Sequence, residues 1–343
     1  MLPFESNYLA YLLAHPQQQT SAEQILSNGT KIRLLGVGAI ELEPATLTHS
    51  SRAIVLSAGI HGNETAPIEW LNQLLDDLLG EHLVISEPLL LLWGHPQAMI
   101  AGVREIGTNL NRLFNGAHKH GVQDLEHQRA AELEGWMDTF YRRYSFRCAH
   151  YDLHTAIRSS VHEKFAVVPY TPQRAPNLEQ FALLQDCGVD CLLFFHQPTT
   201  TFSYHSAIHY DADAFTVELG KVRPFGQNER AALRLLDDRM RLLICGGKSQ
   251  RQMPDVDRCR WYQVTDVINR EQSDFRLNFA DDLANFSTFQ SGDCLAYQAE
   301  EPVLVDDGPK SVVFPNAHVQ VGQRAAILVK QLAAAECARI IYG

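Results

Sequence analysis

Ala53-Ile-Val-Leu-Ser-Ala-Gly-Ile-His-Gly-Asn-Glu-Thr-Ala-Pro-Ile-Glu-Trp70 reads as a buried strand that passes through a tight turn into a helix. The apolar run from Ala53 to Ile60 has the near-continuous character of a parallel strand covered on both faces. Gly59 and Gly62 allow the chain to turn sharply. Thr65 or Asn63 is the expected helix cap, and Pro67 is tolerated in the first turn. His61 and Glu64 therefore sit at the carboxyl end of a central strand, where open α/β sheets build their sites. The pair is a candidate metal site, with zinc the first choice.

Outward from this stretch, the pattern predicts an α/β fold. Asn7 to His15 suggests a short helix. Lys31 to Leu42 reads as a hairpin broken at Gly36 and Gly38, and its Gly-Val-Gly does not extend into a dinucleotide fingerprint. A helix is expected over Thr65 to Leu79, with Leu71, Leu74, Leu75 and Leu78 facing inward. Further strands are expected at Pro88 to Trp93, Cys148 to Leu153, Phe165 to Val168, Asp190 to His196 and Ala214 to Leu219. Helices are expected over Asp124 to Arg143 and Glu229 to Ile244, the latter stopped by Gly246 and Gly247. Gly102 to Phe114 looks like a surface loop. From Arg260 onward only short strands are expected, with Asp306-Asp307-Gly308-Pro309 as a turn. The expected division is a catalytic α/β domain over residues 1–249 and a smaller, mostly β domain over residues 250–343.

The composition is that of an ordinary soluble globular protein. Of 343 residues, 45% are hydrophobic and 20% charged, and the net charge is −11. That charge argues against a nucleic-acid partner. An anionic ligand needs locally gathered Arg or Lys. Seven cysteines without a Cys-x-x-Cys pair suggest free thiols in a reducing compartment. Cys187 and Cys191 have helix spacing if that segment is helical. No Lys or Arg precedes Lys31, so no signal peptide is expected, and no stretch is apolar enough to span a membrane. A cytoplasmic location is the expectation.

Three candidates come from three strand ends: His61 with Glu64, then His154, then Glu218. Two imidazoles and a carboxylate make a standard open zinc shell. Glu218 suits a general base that takes a proton from water and passes it to a leaving nitrogen. Arg104 is the candidate to neutralise an oxyanion. Asn111 and Arg112 are suited to clamp a substrate carboxylate. Asp152, two residues before His154, either supports that histidine or caps local structure. His95, His150, His162, His205 and His209 are alternative third ligands. Arg158 and Lys164 are further candidate anion contacts.

His61-Gly-Asn-Glu64-Thr, Asn111-Arg112, Asp152-Leu-His154-Thr and Val217-Glu218-Leu-Gly220 resemble the motifs of the succinylglutamate desuccinylase and aspartoacylase family, within the zinc carboxypeptidase clan. The strings Ile60 to Pro67, Asp152 to Arg158 and Leu219 to Asn228 are similar to the desuccinylase branch, and Phe314-Pro-Asn316 extends the likeness into the C-terminal part. The resemblance implies a carboxypeptidase-like mixed sheet flanked by helices, with one zinc held by His61, Glu64 and His154. It implies Glu218 as general base, Arg104 on the scissile carbonyl, and Asn111 and Arg112 on a carboxylate. The implied reaction is hydrolysis of N-succinyl-L-glutamate, the last step of arginine breakdown by the succinyl route. An aspartoacylase-like or carboxypeptidase-like hydrolase of another N-acyl amino acid is the alternative. The substrate arginine that aspartoacylases carry shortly before the catalytic Glu has no counterpart, since Ile208 and His209 stand there.

Overall fold

The computed structural model describes residues 2–3, 6–18, 21–48, 51–144, 147–248 and 251–342. The first half of the chain forms α1 (Tyr8–Ala14), β1 (Ala22–Ile25), β2 (Lys31–Gly36), β3 (Ala39–Glu43), β4 (Arg52–Ala58), α2 (Thr65–Leu79), β5 (Leu89–Trp93), α3 (Pro96–Ala101) and α4 (Leu125–Arg143). Then come β6 (Arg147–Ala156), β7 (Lys164–Val168), α5 (Leu178–Asp186), β8 (Cys191–Phe194), α6 (Phe202–His209), β9 (Asp213–Lys221) and α7 (Arg234–Ile244). The rest is β10 (Arg260–Asn269), β11 (Arg276–Leu277), β12 (Ser287–Phe289), β13 (Cys294–Gln298), β14 (Glu301–Leu304), β15 (Lys310–Val313), β16 (Arg324–Gln331) and α8 (Ala334–Tyr342).

One mixed sheet of 13 strands runs in the order β1-β2-β3-β5-β4-β6-β9-β7-β8-β10-β16-β15-β12. Its centre, β5-β4-β6-β9, is parallel. Successive residues of β4 feed opposite cores, as the strand's two-residue period requires. Ile54, Leu56 and Ala58 pack with Ile68, Leu71, Leu74 and Leu75 of α2. Ala53 and Val55 pack with Ala130, Leu133, Met137 and Phe140 of α4. Helices thus cover both faces, and each fully buried Leu or Ile contributes about 1.5–3 kcal/mol before its ordering entropy is counted.

The C-terminal strands continue this sheet. β10 lies parallel to β8, with Arg260 opposite Cys191, and pairs antiparallel with β16. A separate sheet of β11, β13 and β14 shares an apolar cluster with β10, β15 and β16 of the main sheet. The domain boundary expected near residue 250 lies outside the described residues.

Several local expectations need correction. Neither Thr65 nor Asn63 caps α2. Its cap residue is Glu64, with no side-chain capping bond. The Glu64 carboxylate is turned to the histidines, and the Thr65 hydroxyl donates to the Arg223 carbonyl at 2.6 Å. Cys187 ends α5 and Cys191 opens β8, so they do not share a helix; no disulfide joins any of the cysteines among the described residues. The short helices α3, α5 and α6 were not expected. α6 is poor in strong helix formers, and its start is fixed by Thr201, whose hydroxyl accepts the Tyr204 N–H.

The turn after β4 is set by close backbone packing. Gly59 has φ +71°, and its carbonyl accepts the His95 N–H at 2.8 Å. A β-carbon on Gly62 would lie 2.2 Å from the Ala98 carbonyl carbon and 2.3 Å from the Met99 nitrogen. Both obstacles are backbone, so no rotamer change relieves them. Gly62→Ala should destabilise the protein by about 1–3 kcal/mol, read from the midpoint of urea unfolding. An unchanged midpoint would contradict this packing.

Candidate metal centre and active site

Strands β4, β6 and β9 lie side by side and point the same way, so their carboxyl ends meet at one edge. His61 and Glu64 follow β4. His154 near the end of β6 is the register partner of Glu218 in β9, which sets the two side chains beside each other on one face. One ligand atom from each of His61, Glu64 and His154 lies within 4.8 Å of the others, and all three residues are buried.

The hydrogen bonds around them decide what this group can hold. His61 Nδ1 is 2.9 Å from Glu64 Oε1, and His154 Nδ1 is 2.9 Å from Glu64 Oε2. The opposite ring nitrogens have acceptors of their own. His61 Nε2 meets Asn109 Oδ1 at 3.2 Å, and His154 Nε2 meets Asp152 Oδ2 at 2.9 Å. Asn109 Oδ1 also accepts the Asn111 N–H, which identifies it as the amide oxygen. With a metal bound, each Nε2 would keep its proton for the acceptor behind it, and each Nδ1 lone pair would be left for the ion. Two imidazole lone pairs and an anion converging in a buried space call for a cation. The donor set fits zinc, and the acceptors behind the rings fix the tautomer that metal binding needs.

The electrostatics follow from burial and these neighbours. Burial opposes the charged form of His154, but Asp152 and Glu64 overcome it and raise its pKa well above the usual range. Burial and the Arg104 charge lower that of His61 to about 4. A proton or a metal ion satisfies the same lone pairs, so the two compete. Burial, reinforced by the Glu64 charge, pushes Glu218 up to about 7. Its Oε2 is buried without a hydrogen-bond partner. A carboxyl group that titrates near neutrality is suited to exchange protons during a reaction.

Asp152 is fully buried and also accepts the Ser57 hydroxyl at 2.6 Å. It supports His154 and does not cap a helix. Arg104 donates to Glu64 Oε1 at 2.6 Å from a partly open position. Asn111 Oδ1 accepts the Phe202 N–H at 2.9 Å, which leaves its Nδ2 as a donor. Arg112 donates to the Asn111 carbonyl at 3.1 Å. Arg104, Asn111 and Arg112 line one cavity of about 500 Å³ with His61, Glu64 and His154, together with Glu218, Arg158 and Arg324.

The alternative third ligands are engaged elsewhere. His95 pairs with Glu126, His150 lies between Ser57 and Ser206, and His162 meets the Tyr262 hydroxyl. His205 faces Glu134, and His209 meets Asn115. Lys164 is corrected as an anion contact: its ammonium donates to the Ala232 carbonyl. It precedes Phe165, the register partner of Glu218, and so points to the other face. Asn109 and Arg324 were not singled out from the sequence. Asn109 stands in the same polar loop as Asn111, and that loop was the only signal for it.

Comparison with known proteins places this geometry in context. The family model described as the succinylglutamate desuccinylase/aspartoacylase catalytic domain matches residues 50–244, and the AstE/AspA barrel-sandwich hybrid domain matches residues 257–332. The chain is 45% identical over 329 residues to a succinylglutamate desuccinylase of Shewanella pealeana, covering 94% of this chain and 95% of that one. It is 43% identical over 330 residues to one from Shewanella frigidimarina, covering 95% and 96%. Among solved structures, succinylglutamate desuccinylase from Vibrio cholerae superposes with a TM-score of 0.87 at 32% identity, over 94% of each chain. The one from Chromobacterium violaceum gives 0.83 at 36% identity, over 96% of this chain and 98% of that one.

Asp152→Asn replaces the acceptor behind His154 with a neutral amide. We expect about a 10–100-fold loss of zinc affinity, measured by competition with a chromogenic chelator. Affinity equal to that of the unaltered protein would remove Asp152 from the centre.

Proposed function

The chain belongs to the succinylglutamate desuccinylase/aspartoacylase family, and from that premise we propose that it is a zinc-dependent amidohydrolase cleaving N-succinyl-L-glutamate to succinate and L-glutamate. This places it at the last step of arginine breakdown by the succinyl route. The observation that carries the reading is the composition of the cavity: a buried metal-ligand set, an unpaired buried glutamate and several arginines share one space. An amide substrate with three carboxylates needs each of these.

His61, Glu64 and His154 would hold one zinc ion per chain. When bound, zinc supplies Lewis acidity and makes hydroxide available at neutral pH. Glu218 takes the proton of the attacking water and delivers it to the amide nitrogen as the bond to carbon breaks. Its environment keeps the carboxyl group near the pKa that both transfers need. Arg104 donates to the carbonyl oxygen as negative charge develops there. Asn111 and Arg112 hold a substrate carboxylate and so fix the scissile bond in place.

The remaining features agree with a metabolic enzyme of the cytoplasm. Among the described residues no helix is long and apolar enough to cross a membrane. Seven cysteines with no disulfide among the described residues suit a reducing compartment. The net charge of −11 disfavours nucleic acid.

Hydrolysis rates for succinylglutamate, N-acetylaspartate and a blocked dipeptide test the substrate. Succinylglutamate should be strongly preferred, and preference for either other compound would reject the assignment. Glu218→Ala should retain zinc and lose about 10²–10⁴-fold in kcat. Full activity in that variant would take Glu218 out of the mechanism.

A further inference from the structure

The cavity has a wall that does not come from the catalytic half. Asn285, Phe314, Asn316, Gln320, Gln323 and Arg324 all line it from the C-terminal region. Arg324 opens β16, opposite Asn269 of β10. Its guanidinium carbon lies 5.7 Å from the centre of the Phe195 ring. That ring follows β8 and gives the side chain an apolar support and a cation–π partner.

Arg324 and Arg112 approach from opposite halves of the chain. Both line the same cavity and are half-buried, and neither makes an ion pair among the described residues. Burial drives the pKa of Arg324 well below its usual value, and the Arg112 charge adds to that. Burial, with Arg104 next, brings Arg112 down to about 10. Glu105 also lines the cavity and feels both Arg104 and Arg112, yet it ion-pairs with neither. Two like charges drawn out of water without a bridging anion are costly. The cost is recovered when a carboxylate enters between them and accepts from both.

Resting on the functional reading above, we propose that Arg324 and Arg112 act together as a two-guanidinium receptor for one carboxylate of the substrate, so that the C-terminal β region supplies a specificity-determining residue. Its neutral neighbours Asn316, Gln320 and Gln323 can donate to the same anion without adding charge. The arrangement accounts for how an acidic protein attracts a trianion: Arg104, Arg112, Arg158 and Arg324 gather positive charge in the cavity.

The test combines kinetics with binding. KM and kcat are measured for the unaltered protein, Arg324→Met and Arg324→Lys on succinylglutamate and on three analogues, each lacking one of its carboxylates. Arg324→Met should raise KM about tenfold or more, the loss of one charged hydrogen bond, with kcat largely kept. Arg324→Lys should recover part of the loss. The penalty should vanish for a single analogue, the one missing the carboxylate that Arg324 holds. An unchanged KM, or an equal penalty on all three analogues, overturns the proposal.

Calorimetric titration of succinylglutamate into Glu218→Gln, with and without Arg324→Met, reads binding apart from turnover. A tenfold weaker affinity in the double variant supports the receptor, and equal affinities overturn it. If the unaltered protein binds succinylglutamate and the binding depends on Arg324, but no hydrolysis occurs, the functional reading fails while the receptor stands.

Discussion

Two imidazole Nδ1 atoms and one carboxylate are brought to face one another in a buried space, and the site is organised by that constraint. Asn109 and Asp152 impose it by accepting the outer ring protons of His61 and His154. Arg104 and the Thr155 N–H steady the carboxylate from outside, at 2.6 and 3.0 Å. Such a cluster is unfavourable in a low-dielectric interior unless a cation occupies its centre. The polypeptide can keep it because the surrounding sheet is rigid and deeply packed.

The fold supplies that rigidity in a simple way. Parallel strands β4, β6 and β9 bring their carboxyl ends to one edge, and residues of separate strands are then matched by register. His154 and Glu218 are neighbours for this reason, as are Ser57 and Asp152. The turn after β4 can place His61 and Glu64 beside them because Gly62 packs directly on the Ala98–Met99 peptide of α3. The C-terminal strands extend the same sheet through β8 and β10, which carries a polar wall and Arg324 to the far side of the cavity.

Much of this was legible in the sequence because it is local. The run from Ala53 to Trp70 holds a strand, a turn, two metal-ligand types and a helix within one window, and each part constrains the next. Asp152 could be suspected beside His154, since alternate residues of a strand share a face. What escaped depends on long-range contact. Asn109 is tied to His61 across 48 residues, and only the polar loop it shares with Asn111 marks it. Arg324 looks like any strand-end charge until the C-terminal strands are joined to the main sheet. Lys164 seemed suitable by proximity to the motifs, but strand alternation sends it to the opposite face. The cap of α2 was misjudged because Glu64 is engaged by the metal-site histidines, and capping preference alone does not weigh that demand.

The most direct test of this account is anomalous diffraction at the zinc edge from crystals of the unaltered protein. The account predicts one strong peak per chain, about 2.0–2.1 Å from the Nδ1 atoms of both His61 and His154 and within bonding reach of Glu64. Zinc-replete crystals with no peak there, or with the peak seated on other histidines, would contradict it.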